Sequence, residues 1–157
     1  RERSHRVLSE IRELGARVSI DDFGTGLFSL SGMKDIPADE LKIDKSFVLN
    51  MQASKADRKV VEQVIALGHA FGLEVVAVGV ENESVAQDLA TMGCDSMQGF
   101  HFAKPLPPQE IPGWINAWRH APNAPPVRVT HRSQTFDLRT GMSATFDVPM
   151  GTLTAAE

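Results

Sequence analysis

The sequence predicts an α/β fold made of about four parallel strand–helix units, half of an eightfold barrel. Two observations predict it. A helix–glycine–strand pattern recurs three times, and the strands carry polar residues at alternate positions, on the side turned away from the helices.

The pattern is first met at residues 4–14 (SHRVLSEIREL), where Val7, Leu8, Ile11 and Leu14 stand at helical spacing and Gly15 leads into RVSI. Residues 55–71 place Val60, Val61, Val64, Ile65, Leu67 and Phe71 on one face, before Gly72 and LEVVAV. Residues 84–92 group Val85, Leu89 and Met92, before Gly93 and CDSMQG. Each glycine can take the left-handed conformation that favours a helix C-terminus. Strands are therefore expected near 18–22, 40–44, 74–78 and 95–98, the second reached through Pro37. A last helix is expected at 108–118, with Ile111, Trp114, Ile115 and Trp118 on one side.

Strands alternating with helices imply a parallel sheet, and a closed barrel of this type needs about 250 residues, so four units make half of one. In Leu41-Lys42-Ile43-Asp44 the apolar pair faces the helices, so Lys42 and Asp44 face the other way. An open sheet covered by helices on both faces tolerates that badly. A barrel interior near its rim accepts it. Ile20 and Val76, or their neighbours, are expected on the same inner face.

After Trp118 the character changes. Residues 1–118 form the half-barrel, and residues 119–157 a proline-rich linker and a short irregular tail. The linker, RHAPNAPP, has three prolines and no periodicity. Two alternating runs in the tail, VRVTH and ATFDV, are able to form a hairpin around Thr140-Gly141, and carry no functional signal.

With 157 residues, 42% apolar and 23% charged, the chain has the balance of one soluble globular domain. A net charge of −4 argues against a general nucleic-acid binder. No apolar run approaches the roughly 18 residues of a membrane span, and no signal peptide opens the chain. The single cysteine, Cys94, excludes an internal disulfide framework and suits a reducing, cytoplasmic setting. Arg1 already stands inside a helical pattern, so the chain is expected to be a piece of something longer.

The strongest chemical signal is Asp21-Asp22-Phe23-Gly24-Thr25-Gly26. Two adjacent carboxylates end a strand, and catalytic groups of a parallel barrel sit at the C-terminal ends of its strands. Buried carboxylates need a cation, and Mg²⁺ or Mn²⁺ suits oxygen donors. Gly24, Thr25 and Gly26 form a loop able to bend closely around a ligand. The competing reading is a strand end whose aspartate merely caps the next helix. Lys42 and Asp44 on the next strand, Glu81 after the third and Gln98 at the end of the fourth bring a polar group to the same rim. Taken singly, Lys42 is equally a solvated edge, Glu81 a helix N-terminal charge and Gln98 a turn residue. Ser29 stands where a dinucleotide fingerprint needs its third glycine, no GK[ST] or HExxH occurs, and the five histidines show no ligand spacing. His69 reads as structural or exposed. Ser84 with Gln87 fits a capping box.

DDFGTG at 21–26, LKIDKSFV at 41–48, VAVGVE at 76–81 and QGFHFAKPLP at 98–107 together resemble the EAL phosphodiesterases of bacterial cyclic di-GMP signalling. The resemblance covers residues 4–118. It implies the C-terminal half of a modified TIM (β/α)8 barrel and a metal-dependent hydrolysis of cyclic di-GMP to linear pGpG. It further implies metal ligation by Asp21 and Asp22 in a two-metal site holding Mg²⁺ or Mn²⁺. Lys42 would hold the attacking water or offset phosphate charge, Glu81 would support the site, and Gln98 would stand beside the water or the substrate. Lys104 and Pro105, in Lys104-Pro105-Leu106-Pro107, would line the guanine side.

Two departures weigh against hydrolysis. Where active members of the family have a glutamate in the 76–81 frame, this chain has Val78, which neither accepts a proton nor binds a cation. Loss of a general base alone removes about 10²–10⁴ in rate. The Glu-Ala-Leu signature and further metal ligands belong to the half of the domain that would precede Arg1. Two readings follow: a fragment of an active phosphodiesterase, or a degenerate module that senses the nucleotide or docks a partner, with metal affinity weak or absent. An unrelated barrel metalloenzyme would share the aspartate pair but not all four motifs. Open strand edges lead to an expectation of self-association, or of pairing with the missing N-terminal half.

Overall fold

The computed structural model describes residues 2–24, 30–119, 127–138 and 142–153, with side chains for 3–24 and 32–118. The elements run α1 (Glu2–Glu13), β1 (Arg17–Phe23), α2 (Leu30–Met33), β2 (Glu40–Ile43), α3 (Lys45–Asn50), α4 (Lys55–Ala70), β3 (Glu74–Val78), α5 (Glu83–Thr91), β4 (Ser96–Gln98), α6 (Ile111–Arg119), β5 (Val127–Leu138) and β6 (Met142–Leu153). β1 to β4 lie side by side, all parallel, in the order β4-β3-β2-β1. These are the four strands expected from the helix–glycine–strand repeats. Gly15, Gly72 and Gly93 each have positive φ directly after a helix, the conformation that the pattern requires.

The core lies between the strands and the helices that follow them. Leu41 and Ile43 of β2, Val75 and Ala77 of β3, Val48 and Met51 beside α3, Val61 and Ile65 of α4, and Leu89 of α5 form one buried cluster. α4 approaches β3 closely at Gly68, where an added Cβ would lie 2.3 Å from a Val75 methyl. Ile20 belongs to this helix-facing core, not to the inner face as expected. The reason is register: Ile20 stands opposite Leu41, and parallel neighbours share a face.

A local device repeats along the sheet. Asp39 precedes β2, accepts the Val18 N–H of β1 at 2.8 Å and is gripped by Arg12 of α1. Asp95 precedes β4, accepts the Val75 N–H of β3 at 2.8 Å and meets His69 of α4 at 2.8 Å. Each aspartate ties a helix, its following strand and the next strand together. His69 is thus structural, as its sequence setting suggested.

Helix starts depart from expectation at two places. α5 is capped by Asn82, whose side chain accepts the Val85 N–H, and not by Ser84. A short helix, α3, starts at once after β2, and Asp44 caps it by accepting the Ser46 N–H at 2.9 Å.

The tail is not irregular. β5 and β6 form an antiparallel pair, and β6 also pairs antiparallel with β1, extending the sheet to β4-β3-β2-β1-β6-β5. The expected turn at Thr140-Gly141 lies outside the described residues. Among the described residues no helix is long and apolar enough to cross a membrane.

Candidate functional site

The inner face of the sheet has two ends. At the strand N-termini, Arg17 of β1 reaches Glu74 of β3 at 2.6 Å and Glu40 of β2 at 3.9 Å, while the Ser96 hydroxyl of β4 donates to Glu74 at 2.7 Å. The Glu74 carboxylate joins β1, β3 and β4, and Arg17 adds β2 through Glu40. Burial lowers the affinity of the Arg17 guanidinium for its proton, but Glu74, with Glu40 and Asp39, outweighs it and raises its pKa. Sequence reading missed this floor. Its signal was the position of Arg17, Glu40 and Glu74 as the first residue of three strands.

The C-terminal ends carry the residues picked out from the sequence. Asp21 and Asp22 lie near the end of β1, where the pairing with β2 slips: Ile20 faces Leu41, yet Phe23 faces Ile43. One strand has an extra residue, a β-bulge, and Asp22 takes a left-handed backbone with φ 52°. Adjacent strand residues normally point to opposite faces. The bulge interrupts that alternation at the two aspartates, which allows adjacent carboxylates to serve one site. Asparagine and aspartate tolerate this conformation better than other side chains. The Asp21 carboxylate accepts the Asp22 N–H at 3.1 Å.

Asp22 is exposed, and its carboxyl is held above the ordinary range. Partial burial contributes most, then the charges of Asp21 and Asp44, against the opposing pull of Lys45 and Lys42. Lys42 is buried on the inner face of β2, with its Cα opposite Val76 of β3. Asp44 reaches the rim as expected, but its carboxylate is engaged by the Ser46 N–H and hydroxyl. Lys45, which sequence reading passed over, stands beside Asp22 because α3 begins directly after the strand.

Gly24 has φ 109°, and a Cβ there would lie 2.6 Å from the Phe47 ring. Thr25 and Gly26 lie outside the described residues. Val78 ends β3 opposite Gln98, the last residue of β4. The loop after β3 is tied to β4 by the Gly79 and Val80 N–H groups, both donating to the Gln98 carbonyl at 2.8 and 3.0 Å. A Cβ at Gly99 would fall 2.0 Å from the Val80 carbonyl oxygen. The glycines of the GVE and QG motifs thus let two loops close on each other. Glu81 is exposed on the first loop, ahead of α5, and the Gln98 side chain is exposed on the second. Lys104 and Pro105 are exposed in the segment before α6. That segment is anchored by Phe102, edge-on to Trp118, which stacks on Trp114 at 5.3 Å.

Asp21, Asp22, Lys42 and Lys45 are brought together by β1, β2 and the start of α3. Val78, Glu81 and Gln98 are grouped by β3 and β4. Among the described residues, no three His, Cys, Asp or Glu side chains come together as a metal cluster. Cys94 takes no part: burial pushes its thiol up to about 11, and its Sγ donates to the Ser96 carbonyl.

Four parallel βα units with a polar C-terminal rim define half of a TIM-like barrel with its site at the usual end. The family model of the EAL domain matches residues 1–105, and the chain belongs to that family. It is 48% identical over 112 residues to the signaling protein YkoW of Bacillus subtilis, a match covering 71% of this chain and 14% of YkoW. The solved EAL domain of Mycobacterium smegmatis DcpA has 42% identity and a TM-score of 0.69, covering 74% of this chain and 52% of that one. The phosphodiesterase MucR of Pseudomonas aeruginosa, solved as its c-di-GMP complex, has 39% identity and a TM-score of 0.66, covering 70% of this chain and 44% of that one. The chain therefore spans about half of the solved domains, and a small part of YkoW. It is a segment of an EAL domain, a family whose members include cyclic di-GMP phosphodiesterases.

Proposed function

We propose that this chain recognises cyclic di-GMP at its rim without hydrolysing it, as a nucleotide-sensing or partner-binding module working in a reducing, cytoplasmic compartment. The observation that carries this reading is Val78. It stands at the end of β3, beside Gln98, where the family resemblance calls for a glutamate. An isopropyl group there supplies neither a base nor a donor atom.

The donor set supports the same reading. A two-metal centre for Mg²⁺ or Mn²⁺ needs several oxygen ligands in defined geometry. Here Asp21 and Asp22 are the adjacent pair, Asp44 is taken up by Ser46, and Glu81 is an exposed loop residue. These residues do not make up such a centre. What remains suits a phosphate diester: Lys42 and Lys45 beside Asp22 supply positive charge, Gln98 an amide, and Lys104 and Pro105 a wall for the base. Gly24, with no side chain, gives the chain room to approach the ligand.

The second reading, a fragment of an active phosphodiesterase, rests on the match at Asp21, Asp22, Lys42, Glu81 and Gln98. Chromatographic detection of pGpG decides between them. With Mg²⁺ or Mn²⁺ present, the chain is expected to leave cyclic di-GMP intact. Turnover at about 1 s⁻¹ or faster, an ordinary enzyme rate, would overturn the proposal.

A further inference from the structure

The short helix α3 is the element that both groups of rim residues share. It begins directly after β2, which lies between β1 and β3. On one side, Phe47 lies against the loop after β1, where an added Cβ on Gly24 would stand 2.6 Å from its ring. On the other side, Lys45 and Leu49, four residues apart and so on one helix face, lie against the loop after β3. An added Cβ on Gly79 would stand 2.9 Å from the Lys45 Cβ and 3.7 Å from the Leu49 Cγ. Glycine at position 79 leaves that space to the Lys45 stem. The Gly79 N–H in turn donates to the Gln98 carbonyl at 2.8 Å, so the lysine is rooted on the β3–β4 group.

The charge of Lys45 is felt on the other group. It opposes the rise in the pKa of Asp22, ahead of Lys42. Lys42 is buried in the sheet, whereas the Lys45 side chain is exposed and makes no hydrogen bond or ion pair among the described residues. Asp21, Asp22 and Asp44 make the β1–β2 end of the rim acidic, and an anionic diester is repelled there unless a cation stands between. A lysine ammonium has three donors on a flexible four-carbon stem, so one group is able to hold Asp22 and a phosphate oxygen together.

We propose that Lys45 is the phosphate clamp of this rim, bridging Asp22 and a phosphate oxygen of the nucleotide and joining the β1–β2 group of residues to the β3–β4 group. The inference rests on the reading of the rim as a cyclic di-GMP site, and adds to it the cation that lets one ligand touch both groups.

Calorimetric titration of cyclic di-GMP into the full chain tests this. Lys45→Met keeps an unbranched stem and removes the charge, and should weaken binding about tenfold or more, the scale of one hydrogen bond to a charged group. Lys45→Arg restores the charge and should bind as the wild type does. Lys59→Gln makes the same change of charge on the exposed face of α4, and Leu49→Ala trims the other side chain lying on Gly79; both should leave the affinity unchanged. Equal binding by the wild type and Lys45→Met would overturn the clamp while leaving the nucleotide site standing. An equal loss in Lys59→Gln or Leu49→Ala would also overturn it, in favour of overall charge or loop packing. A wild type that binds no nucleotide would overturn the reading of the rim itself, and the clamp with it.

Discussion

The two ends of the same four strands are built differently. At the floor, Arg17, Glu40, Glu74 and Ser96 interlock across the sheet, and Glu74 alone holds partners from β1 and β4. At the rim, Asp21, Asp22, Glu81 and Gln98 come from two separate pairs of strands, and three of the four side chains are exposed. The floor satisfies its charges internally. The rim leaves like charges beside each other: partial burial first, and then the charges of Asp21 and Asp44, raise the pKa of Asp22. In parallel barrels the first arrangement marks stability and the second marks function. Here both are legible in one half-barrel.

The largest effect is expected where the rim is itself structural. Gly99→Ala places a methyl 2.0 Å from the Val80 carbonyl oxygen, and backbone cannot move aside as a flexible side chain can. A loss at or above about 3 kcal/mol is expected in urea unfolding, the upper end for overpacking. A loss below 1 kcal/mol would show that the two loops are not held together in this way.

Glu74→Ala comes next. It leaves the Arg17 guanidinium and the Ser96 hydroxyl half-buried without their shared carboxylate, so about 1–3 kcal/mol should be lost. Gln98→Ala removes an exposed rim side chain and should stay within about 0.5 kcal/mol. Equal costs at the two positions would erase the distinction between floor and rim.

A smaller effect is a slope in pH. A carboxyl whose pKa is raised on folding binds more protons in the folded state, so stability falls as pH rises through the window above the ordinary value of 3.8. Asp22→Asn removes the group, and unfolding free energies measured across that window should then be flatter. An unchanged slope would remove Asp22 as its source. The smallest effect is expected at Ser19, whose buried hydroxyl has no hydrogen-bond partner among the described residues. Ser19→Ala leaves no partner stranded and should be neutral or slightly stabilising.

Much of this was legible in the sequence, for physical reasons. Glycine at a helix C-terminus and alternation along a strand are local rules, so Gly15, Gly72 and Gly93 and the inward Lys42 were found from spacing alone. Asp21 and Asp22 were visible as a pair, but the bulge that lets them share a site depends on pairing with β2. The capping role of Asp44 was not visible, because alternation says which way a residue points and not whether a helix starts beside it. The floor was missed because a salt bridge between Arg17 and Glu74, far apart in sequence, exists only once β1, β2 and β3 are adjacent. The tail pairing with β1 is non-local in the same sense.

The distinction between floor and rim, and the proposal of recognition without hydrolysis, meet in one measurement. Cyclic di-GMP is titrated into the isotope-labelled chain while amide and side-chain NMR signals are followed. Saturable shifts are expected at Asp21, Asp22, Gly24, Lys42, Glu81 and Gln98, with Arg17, Glu40, Glu74 and Ser96 unmoved and the nucleotide signals remaining those of the intact cycle. Shifts centred on the floor, no shifts at all, or the appearance of pGpG would contradict the account.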